Sequence, residues 1–288
     1  MRLLDGKRLS KQLLLTLKDE ISKTYASSLK RPGLCVLRIG EDPASKIYVN
    51  KKIQTCNELG IQSSELHLDA GITQSELLKQ IICLNQDPAI HGILIQLPLP
   101  KHLNSSSPLE AVSPLKDVDG FHPTNLGRLM IGEAELIPCT PLGIMSLLDE
   151  NSIEIKGKRA VVIGRSRIVG RPISLLLDQA GATVTVVHLQ TSHPEALCKE
   201  ADILVAAAGK PNLVGKNHIK EGVVIVDVGI HRTDSGKLIG DVNFEEVKEL
   251  ASAITPVPGG VGPMTVCSLM QNTWKAFCRL ENIRADDS

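Results

Sequence analysis

Aromatic side chains are almost missing from this chain: its 288 residues include one Trp, two Tyr and three Phe. A platform on which single-stranded bases stack needs several exposed rings, so that class of function is excluded. Net charge is missing too, because 32 Lys and Arg balance 32 Asp and Glu. Nucleic acids and membrane surfaces select a basic excess, so neither is expected as a partner. No stretch approaches the ~20 apolar residues of a membrane span. The first residues, MRLLDGKRLSKQLLLTLKDE, mix charged and apolar residues at helical spacing. They lack the continuous apolar core of a signal peptide, which makes a cytoplasmic location the expectation. The seven cysteines are scattered and none forms a CxxC pair. Neither a zinc site nor a disulfide framework is indicated; no metal is expected, and the thiols should be reduced and buried.

What is present is alternation. GLCVLRI (33–39) and SSELHLD (63–69) read as strands and IHGILIQLPLP (90–100) as a strand that runs into a Pro-punctuated loop, separated by helical patterns at 45–59 and 75–85. After PCTPLG (138–143) a second series begins. Strands are expected at 158–164, 182–188, 201–209 and 222–229, with helices at 143–150, 171–180 and 194–200. Such alternation indicates an α/β chain with parallel sheets. The fold expected is two α/β domains flanking a cleft, the second a Rossmann-like doubly wound parallel sheet. A last helix, 263–280, carries Met264, Cys267, Leu269, Met270, Trp274 and Phe277 at helical spacing and is expected to pack on the first domain. Residues 116–139 are the expected hinge region.

Gly164-Arg-Ser-Arg-Ile-Val-Gly170 follows a strand and opens a helix. It is not GxGxxG, but the physics is the same: Gly164 permits a tight turn, the helix start offers N–H groups to phosphate, and Gly170 permits close packing. A purely structural glycine turn is the alternative. An NAD site usually places an acid about 20 residues on, at the end of the second strand. No acid occurs from Gln179 to Pro194, and Arg165 could reach a 2′-phosphate, which favours NADP.

In the first domain, Tyr48 and Lys52 share one helix face, being four residues apart. The pair could stack on a flat substrate and deliver an ammonium to it; a solvated lysine face is the plainer alternative. Gln96, where a strand ends, could hold a lysine in position or cap the next loop. In Lys116-Asp-Val-Asp119-Gly, a carboxylate could accept two parallel hydrogen bonds from a planar pair of donors. Asp117 and Asp119 could equally be turn residues. Finally, TPVPGGVGPMT (255–265) is uncharged and dense in Pro and Gly. That composition suits backbone lying flat against a bound molecule.

YVNKK, IQLPLP, KDVDGFHPTNLGRL, PCTPLG, GRSRIVGRP, DVGI and TPVPGGVGPMT occur in this order along the chain. Together they resemble the FolD family of bifunctional methylenetetrahydrofolate dehydrogenase/methenyltetrahydrofolate cyclohydrolases, over essentially the whole length. The resemblance implies that NADP oxidises 5,10-methylenetetrahydrofolate to the methenyl form, which water opens to 10-formyltetrahydrofolate. It implies a folate-binding catalytic domain at 1–118, joined by a C-terminal helix at 265–288, and an NADP-binding domain at 139–264. Lys52 would be the essential group of hydrolysis, Tyr48 the stacking partner, Gln96 the positioner of Lys52 and Asp119 the pterin anchor. Leu97, Pro98, Pro258, Gly259, Gly260 and Val261 would line the folate. Gly164, Arg165, Ser166, Gly170, Thr191 and Ile230 would bind the cofactor. Leu189 stands where the family commonly has a serine that helps hold the 2′-phosphate, so use of NAD is a second expectation. A homodimer through the nucleotide domain is also implied. A dehydrogenase of another small substrate would share the glycine turn and the lysine, but would need no planar-ring anchor.

Overall fold

The computed structural model describes residues 1–283. The chain begins with β1 (Arg2–Leu3), α1 (Gly6–Ser28), β2 (Gly33–Ile39), α2 (Pro43–Leu59), β3 (Gln62–Leu68) and α3 (Gln74–Gln86). It continues through β4 (Gly92–Ile95), α4 (Ser106–Ala111), α5 (Pro123–Met130) and α6 (Cys139–Glu150). Next come β5 (Arg159–Ile163), α7 (Gly170–Gln179), β6 (Thr183–Val187), α8 (Pro194–Lys199) and β7 (Ile203–Ala206). The remainder is β8 (Val224–Asp227), β9 (His231–Arg232), β10 (Leu238–Ile239), α9 (Phe244–Val247), β11 (Ala253–Ile254) and α10 (Val261–Leu280). Among these helices none is long and apolar enough to cross a membrane. The chain divides into two compact units, one formed by Met1–Lys11 with Pro138–Ser268, the other by Gln12–Ile137 with the residues from Leu269 onward. The division therefore falls inside α1 and inside α10, not only in the hinge region at 116–139.

The smaller sheet has three parallel strands in the order β3-β2-β4. All seven residues of β2 are buried, as in a central parallel strand; six are apolar, and Arg38 pairs with Glu65 of β3 at 2.7 Å. The edge strand β3 is half exposed, and its sequence is correspondingly polar. Leu77 and Ile81 of α3 pack on Leu37, Ile93 and Ile95 of the sheet. Helix α2 starts sharply: Asp42 accepts from the Ser45 amide at 2.7 Å, Pro43 occupies the first position, and Gly60 ends the helix at φ 78°. In the segment 90–100 the strand ends at Ile95 and gives way to the expected Pro-punctuated loop. Pro98 and Pro100 have no N–H for a ladder, and the Leu97–Pro98 peptide is cis.

The larger sheet has six strands in the order β1-β11-β8-β7-β5-β6, and every pairing is parallel. From β5 the chain goes to β6 on one side and then crosses to β7 on the other. This reversal opens a crevice at the carboxyl ends of β5 and β7, where open α/β sheets bind ligands. The Rossmann-like expectation is met, with one addition. The first residues, expected in the folate domain, form strand β1 on β11, with Arg2 opposite Ala253 and Leu3 opposite Ile254. Two residues are too short a strand to show periodicity, so the pairing was invisible in the sequence.

Candidate active site and nucleotide cavity

The unit that holds the smaller sheet, and that is the smaller unit in this sense only, brings two expected residues together. Gln96 lies one residue beyond β4, and its amide still donates to Leu37 O at 2.8 Å, which fixes its backbone to the sheet. Its side chain donates to Leu97 O at 2.7 Å. That bond orients the amide so that Oε1 faces α2 and accepts from Lys52 Nζ at 2.9 Å. Tyr48, one turn before Lys52, is 43 % exposed, so a ring face remains for a ligand. Leu97 is half-buried and Pro98 is exposed. Four residues beyond Lys52, burial pushes the Cys56 thiol up to about 12, so it remains a protonated, unreactive packing group. Six of the seven cysteines are buried as expected; Cys83 is exposed.

The two aspartates of Lys116-Asp-Val-Asp separate clearly. Asp117 is buried and accepts from the amides of Phe121 at 3.2 Å and His122 at 2.8 Å, and from Asn125 Nδ2 at 2.8 Å. Burial raises its pKa against the effect of those bonds. Asp117 is thus the structural turn residue. Its neighbours are equally occupied: Lys116 caps α3 by donating to Asp87 O at 2.7 Å, and Val118 O accepts from Asn272 Nδ2 of α10 at 2.9 Å. Asp119 is half-buried.

In the larger unit the glycine turn is built as expected. Gly164 has φ 116°, a region only glycine enters easily, and a Cβ there would collide with the Ala207 carbonyl just beyond the neighbouring β7. Gly170 packs so closely that a Cβ would collide with the Gly164 carbonyl. Ser166 has a structural part in this turn. Its Oγ accepts from the amides of Val169 at 3.2 Å and Gly170 at 3.3 Å. The amides expected to be free for phosphate at the start of α7 therefore have an internal acceptor, as helix starts commonly do.

A cavity of about 550 Å³ opens at this switch point, lined among others by Gly164, Arg165, Leu189, Gln190, Ala208 and Lys210. After β6, Thr191 Oγ1 accepts from the His188 amide at 2.9 Å and so closes a tight turn. Leu189 sits on that turn fully exposed, at 103 %. Arg165 Nη2 donates to Gln190 Oε1 at 3.0 Å, which fixes the guanidinium at the rim. No acid lies on the turn after β6; Glu195, on α8, also lines the cavity. Ile230 is 42 % exposed at the carboxyl end of β8, against Gly262.

The Pro/Gly loop needs its glycines for itself. Gly259 has φ 111°. Gly260 is buried, and a Cβ there would lie 2.7 Å from both Pro256 O and Thr255 Cβ. The start of α1 packs on the same loop: Lys7 N donates to Gly259 O at 2.9 Å, and a Cβ on Gly6 would collide with the Gly260 carbonyl. The composition of the loop thus follows from internal close approach as well as from any ligand. Val261 is buried and opens α10, so its side chain belongs to the core, while Pro258 is exposed. Sequence reasoning missed a further group at the ends of β7 and β8: Asp227, Asp241 and His231. Asp227 and Asp241 stand in IVDVG and LIGDV, where an acid among apolar residues signals a buried, bonded carboxylate.

Family models match both parts of the chain. Residues 4–119 match the tetrahydrofolate dehydrogenase/cyclohydrolase catalytic domain and residues 138–281 its NAD(P)-binding domain. A "Bifunctional protein FolD" of Acetivibrio thermocellus is 50% identical over 275 residues, covering 96% of both chains. The crystal structure of the FolD methylenetetrahydrofolate dehydrogenase/cyclohydrolase of Campylobacter jejuni superposes with a TM-score of 0.94 at 49% identity, over 97% of this chain and 99% of that one. The dehydrogenase-cyclohydrolase of Trypanosoma brucei, solved with NADP and an inhibitor, has a TM-score of 0.93 at 38% identity over 98% of each chain. By sequence and by fold, this chain belongs to the tetrahydrofolate dehydrogenase/cyclohydrolase family.

Proposed function

We propose the following division of labour for the two activities of this family. The chain is an NADP-dependent methylenetetrahydrofolate dehydrogenase and methenyltetrahydrofolate cyclohydrolase. Bound NADP supplies the hydride acceptor. The residues around the cavity fit it: the collision awaiting any side chain at Gly164 leaves backbone alone beside the phosphates, and Arg165 marks the rim where a 2′-phosphate would sit. Hydride transfer needs no strong base, only a near-attack pose. Gly164, Ser166 and Gly170 shape the phosphate end, Arg165 and Thr191 the ribose end, and Ile230 the wall.

Hydrolysis needs proton management, because water adds to the methenyl carbon and must lose protons as the ring opens to the N-formyl product. Lys52 is the one group in this reading that does so, by holding the attacking water or the departing ring nitrogen at its Nζ. Gln96 keeps Nζ in place, Tyr48 stacks on the folate, and Asp119 accepts from the 2-amino and N3–H of the pterin. Leu97 and Pro98 supply apolar surface to the folate. The observation that carries this reading is the Lys52 Nζ–Gln96 Oε1 bond at 2.9 Å. The test is to assay both reactions with purified protein, supplying methylenetetrahydrofolate with NADP and then methenyltetrahydrofolate alone. Turnover of the second without the first removes the dehydrogenase assignment; the reverse removes the role of Lys52.

A homodimer fits the larger sheet. Strand β6 is the outermost strand and leaves one edge unpaired, with Val186 38% exposed on it. Light scattering after gel filtration tests this, and a monomer at micromolar concentration would refute it. A cytoplasmic location accords with the expectation for such an enzyme.

A further inference from the structure

Two carboxylates lie buried where β7 and β8 end. Asp227 is 4% exposed and Asp241 0%. Each accepts three hydrogen bonds. Asp227 Oδ1 takes the amides of Gly229 and Asp241, both at 2.9 Å, and Oδ2 takes that of Val242 at 3.0 Å. Asp241 Oδ2 takes the amides of Ala208 at 2.7 Å and Gly209 at 2.9 Å, and its Oδ1 pairs with His231 Nε2 at 2.7 Å. The packing admits nothing larger: a Cβ on Gly229 or Gly240 would run into one carboxylate or the other. Removing two adjacent carboxylates from water is costly, and a fold that needed only a loop closure would not require it.

The bonds of Asp241 show what it joins. Ala208 lines the nucleotide cavity, and the preceding residue, Ala207, presses its carbonyl against the glycine turn at Gly164. His231 directly follows Ile230, whose half-exposed side chain stands at the carboxyl end of β8. One carboxylate therefore holds the exit loop of β7 with one oxygen and the exit loop of β8 with the other. We propose that Asp241, together with His231, is a positioning residue pair for the nicotinamide nucleotide, setting the spacing of the two loops between which it binds. This inference rests on the NADP-dependent reading above. Neither residue touches the reacting atoms; both act through Ala208, Gly209 and Ile230. Asp227 supports the pair by fixing the Asp241 backbone.

The second activity of the chain supplies the control. Hydrolysis of methenyltetrahydrofolate uses Lys52 and Gln96 of the smaller unit and needs no nucleotide. His231→Ala should raise KM for NADP about tenfold, the scale of one charge-assisted hydrogen bond. KM for methylenetetrahydrofolate and the cyclohydrolase rate should stay within about twofold. His231→Gln keeps an N–H for Asp241 and should recover most of the loss. Asp241→Asn should fall between the two; if it does not fold, the His231 variants decide. An unchanged KM for NADP in His231→Ala overturns the proposal. So does a parallel fall of both activities, which would mark the pair as structural only. Failure of the unmodified protein to reduce NADP would instead overturn the reading on which the proposal rests.

Discussion

Lys52 and Gln96 are 44 residues apart in sequence and meet through side chains, whereas the glycine turn beside the cavity at the ends of β5 and β7 is fixed by close backbone approach. In the proposed cyclohydrolase site, chemistry depends on what two side chains carry. In the larger unit it depends on what is missing, since Gly164 and Gly170 leave no room for a Cβ. A side-chain site should lose function abruptly and keep its fold when one group is removed. A backbone site should lose fold and function together when one atom is added.

The sharpest test of this contrast is Lys52→Met. General acid–base catalysis is typically worth about 10²–10⁴-fold, so the cyclohydrolase rate should fall by that factor. Hydride transfer should fall far less, and the melting temperature should hold within a few degrees. Parallel loss of both reactions would show that Lys52 serves the common folate pose instead of proton transfer.

The opposite behaviour is expected of Gly260→Val. From sequence, this loop reads as a wall for a ligand, so a bulkier residue would block binding while the fold survives. The structure adds a demand of the fold itself, because Pro256 O and Thr255 Cβ already stand 2.7 Å from where the Cβ would be. Overpacking costs about 1–3 kcal/mol. The melting temperature should drop by several degrees, measured by calorimetry, and both activities should fall with the folded fraction. An unaltered melting temperature with a raised folate KM would restore the wall as the main role of Gly260.

This pair of variants also shows what the sequence made legible. The βαβ order, the glycine turn after β5 and the Lys52–Gln96 partnership could be read, because each rests on local pattern or on chemical type. Asp117 and Asp119 could not be told apart, since which one turns inward depends on Asn125 and the amides of Phe121 and His122. Strand β1 could not be found, because its partner lies some 250 residues away. The burial of Asp241 left a signal in LIGDV, but its pairing with His231 and with the amides of Ala208 and Gly209 did not, because it lies in which loops are tied and not in a motif.

Between these extremes lies Arg165, a side-chain contact on a backbone site. Its bond to Gln190 at 3.0 Å is exposed, so its worth is about 0.5–1.5 kcal/mol. Gln190→Ala should raise KM for NADP by roughly two- to tenfold, read from initial rates, with the folate KM unchanged. Equal effects on NADP and NAD would show that Gln190 does not orient Arg165 toward the 2′-phosphate.

The smallest effect is the response to acid, and here the units should differ in sign. In the smaller unit His91 is buried, accepts the Gly33 amide on Nδ1 at 3.0 Å and faces Glu281 through Nε2 at 3.2 Å. Burial lowers its pKa below the ordinary 6.5, against the pull of Glu281. The unfolded chain then takes up the proton first, so His91 contributes stability above pH 6.5 that is lost as the pH falls through the folded value. In the larger unit, burial raises Asp227 from 3.8 to about 6, with the charge of Asp241 adding to the rise. There the folded state holds the proton more tightly, so stability grows as the pH falls from 6 toward 4 and is lost as it rises again. Each single group contributes at most about 1.4 kcal/mol per pH unit. Between pH 7 and pH 5, amide exchange corrected for its intrinsic rate should therefore quicken on β2 relative to β8. His91→Asn keeps an acceptor for the Gly33 amide but cannot titrate in this range, so it should remove the quickening on β2 and leave β8 as it was. If β2 responds to acid equally in both proteins, His91 is not the group that makes the smaller unit acid-sensitive.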